Sequence, residues 1–370
     1  MSRRAPHTLA ALALTVATAI TTIAASPASA RPADQPQTNP TTSGVSAITD
    51  QVAQDLAAAM ARPAIQKRVV KAALTGVVDL ANVEPRSTFA RGVATANHAV
   101  LTAKGLPASS GSLLQLRLAT PGMENSLRRG AAPLVAAAPT DDTSADVIAY
   151  RPSGGALALD AARAPHRPVI LVEVNTDKAL RIGLKLMRET WDSHGLASAT
   201  QDGPTASAGY WATRVDAIRL NDDHEPWAKG SAEIFNLVGG FGHDGKVRID
   251  TVQMPYLDND GTTYYPGQLV VHFFQYKYNL ADIVMMEDDG GTNYQQLAVA
   301  IATALLTIVD GGAYIPLVTP ILNAIPGDWW TDDPDYADSW YTLATWSSGR
   351  LYGASGNGWM DVSPYWVPEL

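Results

Sequence analysis

The chain has 370 residues, no cysteine, 46% hydrophobic residues and a formal net charge of −9. Without cysteine there is no disulfide frame, thiolate metal site or cysteine nucleophile. The acid surplus excludes a duplex nucleic-acid binder, which needs a basic face to displace counterions.

Met1–Ala30 reads as a secretory signal peptide: Arg3 and Arg4, then an uncharged Ala/Leu/Val/Thr stretch, then the small-x-small site Ala28-Ser29-Ala30. Cleavage after Ala30 predicts a secreted protein of 340 residues, room for roughly two domains, and loss of two Arg takes the net charge to −11. No later run is apolar and uncharged for long enough to predict a transmembrane segment. Residues 31–45, rich in Pro, Thr, Gln and Ser, predict a disordered lead-in.

Residues 46–192 predict a mainly helical N-terminal domain. Ile48, Val52, Leu56 and Met60 recur every four residues, the period of an amphipathic helix that Pro63 stops. Ile65, Val69 and Ala72 continue the pattern in a second helix capped by Gly76. Ala94–Lys104 and Leu113–Arg117 read as short helices, and Ala131–Ala145 as a linker. Val147–Tyr150 and Pro168–Val174 are β-rich, the latter apolar enough for a central strand, and Thr176–Asp192 is an amphipathic helix. All nine Trp lie at or beyond Trp191, whereas Arg31–Glu189 holds one Phe and one Tyr. That shift, with the polar stretch 193–209 as linker, sets off a second domain at 210–370.

Within it, Ala217–Leu220, Ala232–Val238, Val247–Met254, Gln268–Phe274 and Asp282–Met286 read as short strands between polar turns, the pattern of an antiparallel sandwich. If successive strands alternate in direction, Asn221–Gly230, Pro255–Gly267 and Glu287–Asn293 gather at one end. They carry Asp222, Asp223 and Glu225, then Asp258 and Asp260, then Glu287, Asp288 and Asp289. Carboxylates converging there repel one another unless a cation screens them, and an oxygen-only donor set suits Ca²⁺. Asp222–Asp338 holds 18 acidic and 4 basic residues, so the surplus is concentrated in this stretch. Leu297–Val309 predicts an inserted helix. The loop Gly327–Asp338 mixes five Asp with Trp329 and Trp330, which offer rings for a ligand to stack on. Gly349–Gly358 reads as turns before a final strand.

The acidic turn after Ile218-x-Leu220, the run Gly230-Ser231-Ala232-Glu233-Ile234-Phe235 and the pattern Glu287-x-Asp289-x-x-x-Asn293 together resemble a degenerate C2 domain. The resemblance implies Ca²⁺ held by Asp222 or Asp223, Glu233, Glu287, Asp289 and Asn293, although Glu twice and Asn once stand where that family carries Asp. The mature chain also resembles a family of secreted bacterial proteins classed as a domain of unknown function, family 3103. That likeness rests on Trp227-x-x-Gly230-x-Ala232-Glu233-Ile234, on the stretch from Met254 to Pro266 and on Glu287-x-Asp289-x-x-x-Asn293-Tyr294. It implies export and a shared architecture, without an activity.

The expected fold class is therefore α+β: a mainly helical N-terminal region with a small strand component, then an antiparallel C2-like β-sandwich. The expected function is Ca²⁺-dependent presentation of loops to an extracellular polymer, envelope component or protein. The metal candidates are Asp222, Asp223, Glu233, Asp258, Asp260, Glu287, Asp289 and Asn293. The alternative is a secreted hydrolase of glycans, esters or peptides using paired carboxylates, which act on glycosides when held about 5 to 10 Å apart. No His-Glu-x-x-His, Gly-x-Ser-x-Gly, phosphate-binding or dinucleotide motif is present.

Overall fold

The computed structural model describes residues 40–85, 87–140, 145–197, 209–221, 227–230, 232–288, 290–325 and 336–369. The expected signal peptide, Asp222, Asp223, Asp289, Trp329, Trp330 and most of the expected linker 193–209 lie outside the described residues. Gln37–Leu370 forms one compact unit. Its class is α+β, with helices in the N-terminal part and mostly antiparallel sheets in the C-terminal half.

The N-terminal part comprises α1 (Pro40–Ala59), α2 (Pro63–Ala73), β1 (Val78–Asp79), α3 (Thr88–Ala103), β2 (Leu114–Leu118) and α4 (Glu124–Arg128). It continues through β3 (Leu134–Ala137), β4 (Asp146–Tyr150), β5 (Ala156–Asp160), β6 (Val169–Val174) and α5 (Thr176–Ser193). The first helix begins inside the expected disordered lead-in, because its buried stripe opens at Val45 and runs through Val52, Ala53 and Leu56. The strand component is larger than composition suggests: a six-stranded sheet in the order β1-β2-β6-β3-β4-β5, antiparallel except where β3 runs beside β6. Leu113–Arg117, expected as a helix, supplies β2, since Leu114 and Leu116 are buried in alternation with the more exposed Gln115 and Arg117. Ala131–Ala145, expected as a linker, contains β3, in which Leu134, Val135 and Ala136 are wholly buried. A four-residue strand covered on both faces leaves no alternation to read.

The C-terminal part comprises β7 (Tyr210–Leu220), β8 (Ile234–Phe241), β9 (Val247–Gln253), β10 (Gln268–His272) and β11 (Leu280–Glu287). After these come α6 (Tyr294–Leu305), α7 (Val318–Ala324), β12 (Tyr336–Ala344), β13 (Gly349–Tyr352) and β14 (Gly358–Val367). They build two four-stranded antiparallel sheets, an outer one ordered β10-β7-β14-β13 and an inner one ordered β12-β11-β8-β9. Gly349–Gly358, expected as turns, opens with strand β13. Val215, Ile218, Met360 and Val362 of the outer sheet meet Ile234, Val238, Ile283 and Met285 of the inner sheet in one core. Phe235, Leu237, Val284 and Met286 point the other way, into a core shared with α1, α3, α5 and α6. Strands β8 and β11 are thus covered on both faces, which explains their long apolar runs.

Helix α5 carries that shared core. Ala179, Leu180, Gly183, Leu184, Met187 and Trp191 are its buried face, and Trp191 Nε1 donates to the Ala298 carbonyl of α6 at 3.0 Å. A β-carbon on Gly183 would lie closer to the Tyr294 ring than real contacts allow. Gly183→Ala is therefore expected to destabilise the fold by about 1–3 kcal/mol through overpacking. Urea unfolding at neutral pH checks this, with exposed Gly92→Ala on α3, where a β-carbon meets open space, as the tolerated comparison.

Candidate functional site

Ile234 pairs with Glu287 and Phe235 with Gln253. The connections entering β8, leaving β9 and leaving β11 therefore share one end of the inner sheet. Glu233 precedes β8 at that end, and its backbone carbonyl accepts the Asp288 N–H at 3.2 Å. The segment ahead of it is fixed from the N-terminal sheet. Trp227 Nε1 donates to the Asp160 carbonyl at 3.0 Å, and Arg117 donates to the Ala228 and Lys229 carbonyls at 3.2 and 2.7 Å. Arg117 Nε also meets Glu173 at 2.7 Å, and Gln115 donates to the other oxygen of the same carboxylate at 2.8 Å.

Beside Glu233 lies a wholly buried ionic centre. Lys104, just past the end of α3, reaches Asp288 at 3.4 Å and donates to the Gly290 carbonyl at 3.0 Å, with both charged side chains fully excluded from solvent. Tyr294 donates its hydroxyl to the second oxygen of Asp288, and its ring centroid stands 5.0 Å from the ammonium. Asn293 caps α6 by accepting the Gln296 N–H at 3.0 Å and donates to the Ala103 carbonyl at 2.9 Å. The Lys104 ammonium, the Asn293 amide and the Tyr294 N–H, which donates to the Lys104 carbonyl, tie the end of α3 to the chain between β11 and α6.

Between these groups is a small cavity of about 60 Å³, whose lining includes Thr49, Thr140, Glu173, Thr176, Glu233 and Asp288. Glu233 is the odd group in it. Glu173 has Arg117 and Asp288 has Lys104, whereas the Glu233 carboxylate is met by the Thr176 hydroxyl. Burial pushes the Glu233 carboxyl up to about 8, and the charges of Asp288, Asp177 and Glu173 add to the rise against the opposing Thr176 hydrogen bond. At neutral pH the side chain is therefore mostly protonated.

Of the eight metal candidates, the structure brings Glu233, Glu287 and Asn293 to this end, with Glu287 buried as the last residue of β11 and Asn293 engaged as a helix cap. Asp258 is committed to its own turn, accepting Tyr264 Oη at 2.7 Å and Asn259 Nδ2 at 2.8 Å, while Asp260 is exposed at the tip. Among the described residues no three His, Asp or Glu side chains stand close enough together to hold a metal ion. Among them, too, no helix is long and apolar enough to cross a membrane. Glu173, Thr176 and Lys104 escape motif reading. Their signal is patterning: Glu173 is the one charge in the apolar strand β6, and Lys104 sits at helical spacing from buried Val100 and Leu101.

A family model described as a protein of unknown function (DUF3103) matches residues 47–369. No curated protein and no solved structure matches the chain.

Two outcomes are expected. Lys104→Met leaves Asp288 as an uncompensated buried carboxylate and lowers stability by about 3–5 kcal/mol, most of which a second change, Asp288→Asn, restores. Chemical unfolding of the single and double variants measures both. For Glu233, the folded carboxyl keeps its proton up to about pH 8 while the ordinary value is 4.5. Between those values the folded state holds the extra proton, so stability falls as pH rises, by up to about 1.4 kcal/mol per unit, and levels off above the folded value. Glu233→Gln removes this slope in unfolding titrations at pH 5, 7 and 9.

Proposed function

The chain belongs to the family of unknown function whose model spans it, and from that premise we propose that it is an exported bacterial protein whose β-sandwich binds Ca²⁺ beside Glu233 and presents the adjoining loops to an extracellular or envelope partner. The observation that carries the reading is the raised Glu233 carboxyl in a cavity with Glu173 and Asp288, with Asp177 nearby in charge. A divalent cation entering there relieves the repulsion, takes the place of the proton and gains carboxylate and hydroxyl oxygens, the donors Ca²⁺ prefers. Thr140 and Thr176 line the same space. Asp289 follows Asp288 directly, and Asp222 and Asp223 lie in the connection that leads to Glu233. These three complete the proposed ligand set, as the C2-like pattern implies. Asp258 and Asp260 belong to the presented loops.

The size of the cavity favours an ion over a substrate. Small-molecule sites commonly occupy about 300–1,000 Å³, whereas this one has about 60 Å³. The hydrolase reading draws on one observation, the proton retained by Glu233, which suits a general acid.

Calcium at tenfold above its dissociation constant is expected to stabilise the fold by about 1.4 kcal/mol, with extracellular modules binding at about 10⁻⁴ to 10⁻³ M. Because the ion competes with a proton, the gain in melting temperature should be larger at pH 8 than at pH 6, and calorimetry in two buffers should detect proton release. Glu233→Gln and Asp289→Ala should each abolish the shift. A melting temperature indifferent to both millimolar Ca²⁺ and EDTA overturns the calcium reading. Turnover of a glycan or ester that Glu233→Gln abolishes without unfolding would favour the hydrolase instead.

A further inference from the structure

We propose a second site, independent of the cation reading: the open edge of the sandwich between β12 and β13 binds an uncharged polysaccharide. A cleft of about 350 Å³ lies there, lined by residues including Trp340, Tyr341, Leu343, Arg350, Leu351 and Tyr352, a volume within the range of small-molecule sites. Tyr341 and Tyr352 flank it and are 46% and 72% exposed, unusual for large aromatic side chains. Trp340 turns inward as the floor, its Nε1 held by the Leu351 carbonyl at 3.1 Å.

The wall is shaped by backbone strain. Thr342 has φ of +55°, a conformation that a β-branched residue adopts only under constraint. The constraint is visible: Asp282 accepts the Thr342 N–H at 2.6 Å, at a register shift between β11 and β12. The irregularity leaves Tyr341 and Thr342 both facing solvent where regular alternation would bury one of them. It also interrupts the ladder of the edge strand, so an added peptide strand would not find a continuous row of partners.

Charge selects the class of ligand. Among the described residues Arg350 is the only charged one lining the cleft, and it is already neutralised by a two-pronged pair with Asp361 at 3.0 and 2.7 Å. Its guanidinium stacks 3.5 Å from the Trp359 ring centroid, so it is held away from the open cleft. What the cleft offers is aromatic surface with the phenol hydroxyls of Tyr341 and Tyr352 at the edges. That matches a sugar ring, whose C–H face is apolar and whose rim is hydroxyls, better than it matches an ion or a charged peptide. The turn joining β12 to β13 carries Trp346, 65% exposed and packed against Trp211 at 4.7 Å between centroids, which in turn meets Trp366. Aromatic surface therefore continues past the closed end of the cleft, as a polymer would use and a single sugar would not.

The test is retention of the full exported chain on insoluble cellulose and chitin, with calorimetry against glucose and N-acetylglucosamine hexamers. Binding to at least one of these is expected, with Tyr341→Ala and Tyr352→Ala each weakening it about tenfold or more, about 1.4 kcal/mol, at unchanged melting temperature. Tyr352 is the safer variant because its side chain is the more exposed. Glu233→Gln should leave glycan binding intact, so failure of the cation reading and failure of this one are separable. The proposal is overturned by absence of binding to all four probes, by binding that survives the double Tyr variant, or by preference for an anionic polysaccharide or an extended peptide over the neutral glycans.

Discussion

Burying Lys104 and Asp288 together is the constraint on which the rest of this molecule turns. Each ion alone would be held out of the interior by several kcal/mol of lost hydration, and their mutual attraction offsets this only when the remaining donors and acceptors are filled. The Gly290 carbonyl takes the ammonium, and the Gly290 N–H and the Tyr294 hydroxyl take the carboxylate. The consequence is positional. The end of α3 can dock in one place only, against the link from β11 to α6, and α5 follows because Gly183 admits the Tyr294 ring. Hydrophobic burial supplies the drive to join the N-terminal sheet to the sandwich, but it is non-directional. The ion pair supplies the register.

That register also creates the chemistry of the cavity. Glu233 is at the start of β8 because Ile234 must enter the core between the sheets. The Trp227–Gly230 segment ahead of it is fixed by Arg117 and by the outer face of the N-terminal sheet, where Ala228 is buried. With both sides fixed, Glu233 is held largely out of water, while Arg117 and Lys104 are matched to Glu173 and Asp288. A raised carboxyl is therefore imposed by the fold on a residue whose alternatives, Gln or a protonated acid, would satisfy the same geometry without a titration. Keeping an ionisable group there has a consequence for anything that competes with a proton.

Much of this was readable without coordinates. Strands β8, β9 and β11 and helices α5 and α6 are marked by runs or by helical spacing, and the shared end of the three acidic connections follows from parity alone. What misled was brevity. Strand β2 alternates over five residues and β3 is apolar over four, each too short to separate helix from strand by period. The site was legible in part: Glu233 stands in a pattern, but Lys104 and Glu173 acquire meaning only from contacts across 184 and 56 positions of chain. Composition marks the sandwich's own core but not a separation of the halves, since both also contribute to one large core.

The acid surplus itself is put to several uses rather than one. Asp338 is wholly buried and accepts the backbone N–H groups of Ser339, Ser355 and Gly358 at 2.8 to 2.9 Å. A β-carbon on Gly353 would collide with it, so the glycine-rich turn closes around a carboxyl group of its own chain. Asp282 does the same for Leu317 and Thr342 while accepting the Tyr314 hydroxyl, and burial holds its carboxyl above the usual range. Such carboxylates act as staples: each joins strands to loops that a ladder cannot reach, in a chain that has no disulfide to do so. A dense count of Asp in a cysteine-free sandwich therefore has two physical readings, cation site and backbone staple. Burial with backbone donors distinguishes the second, which is where Asp282 and Asp338 fall. Only a carboxyl like Glu233, short of donors and close to other acids, remains for the first.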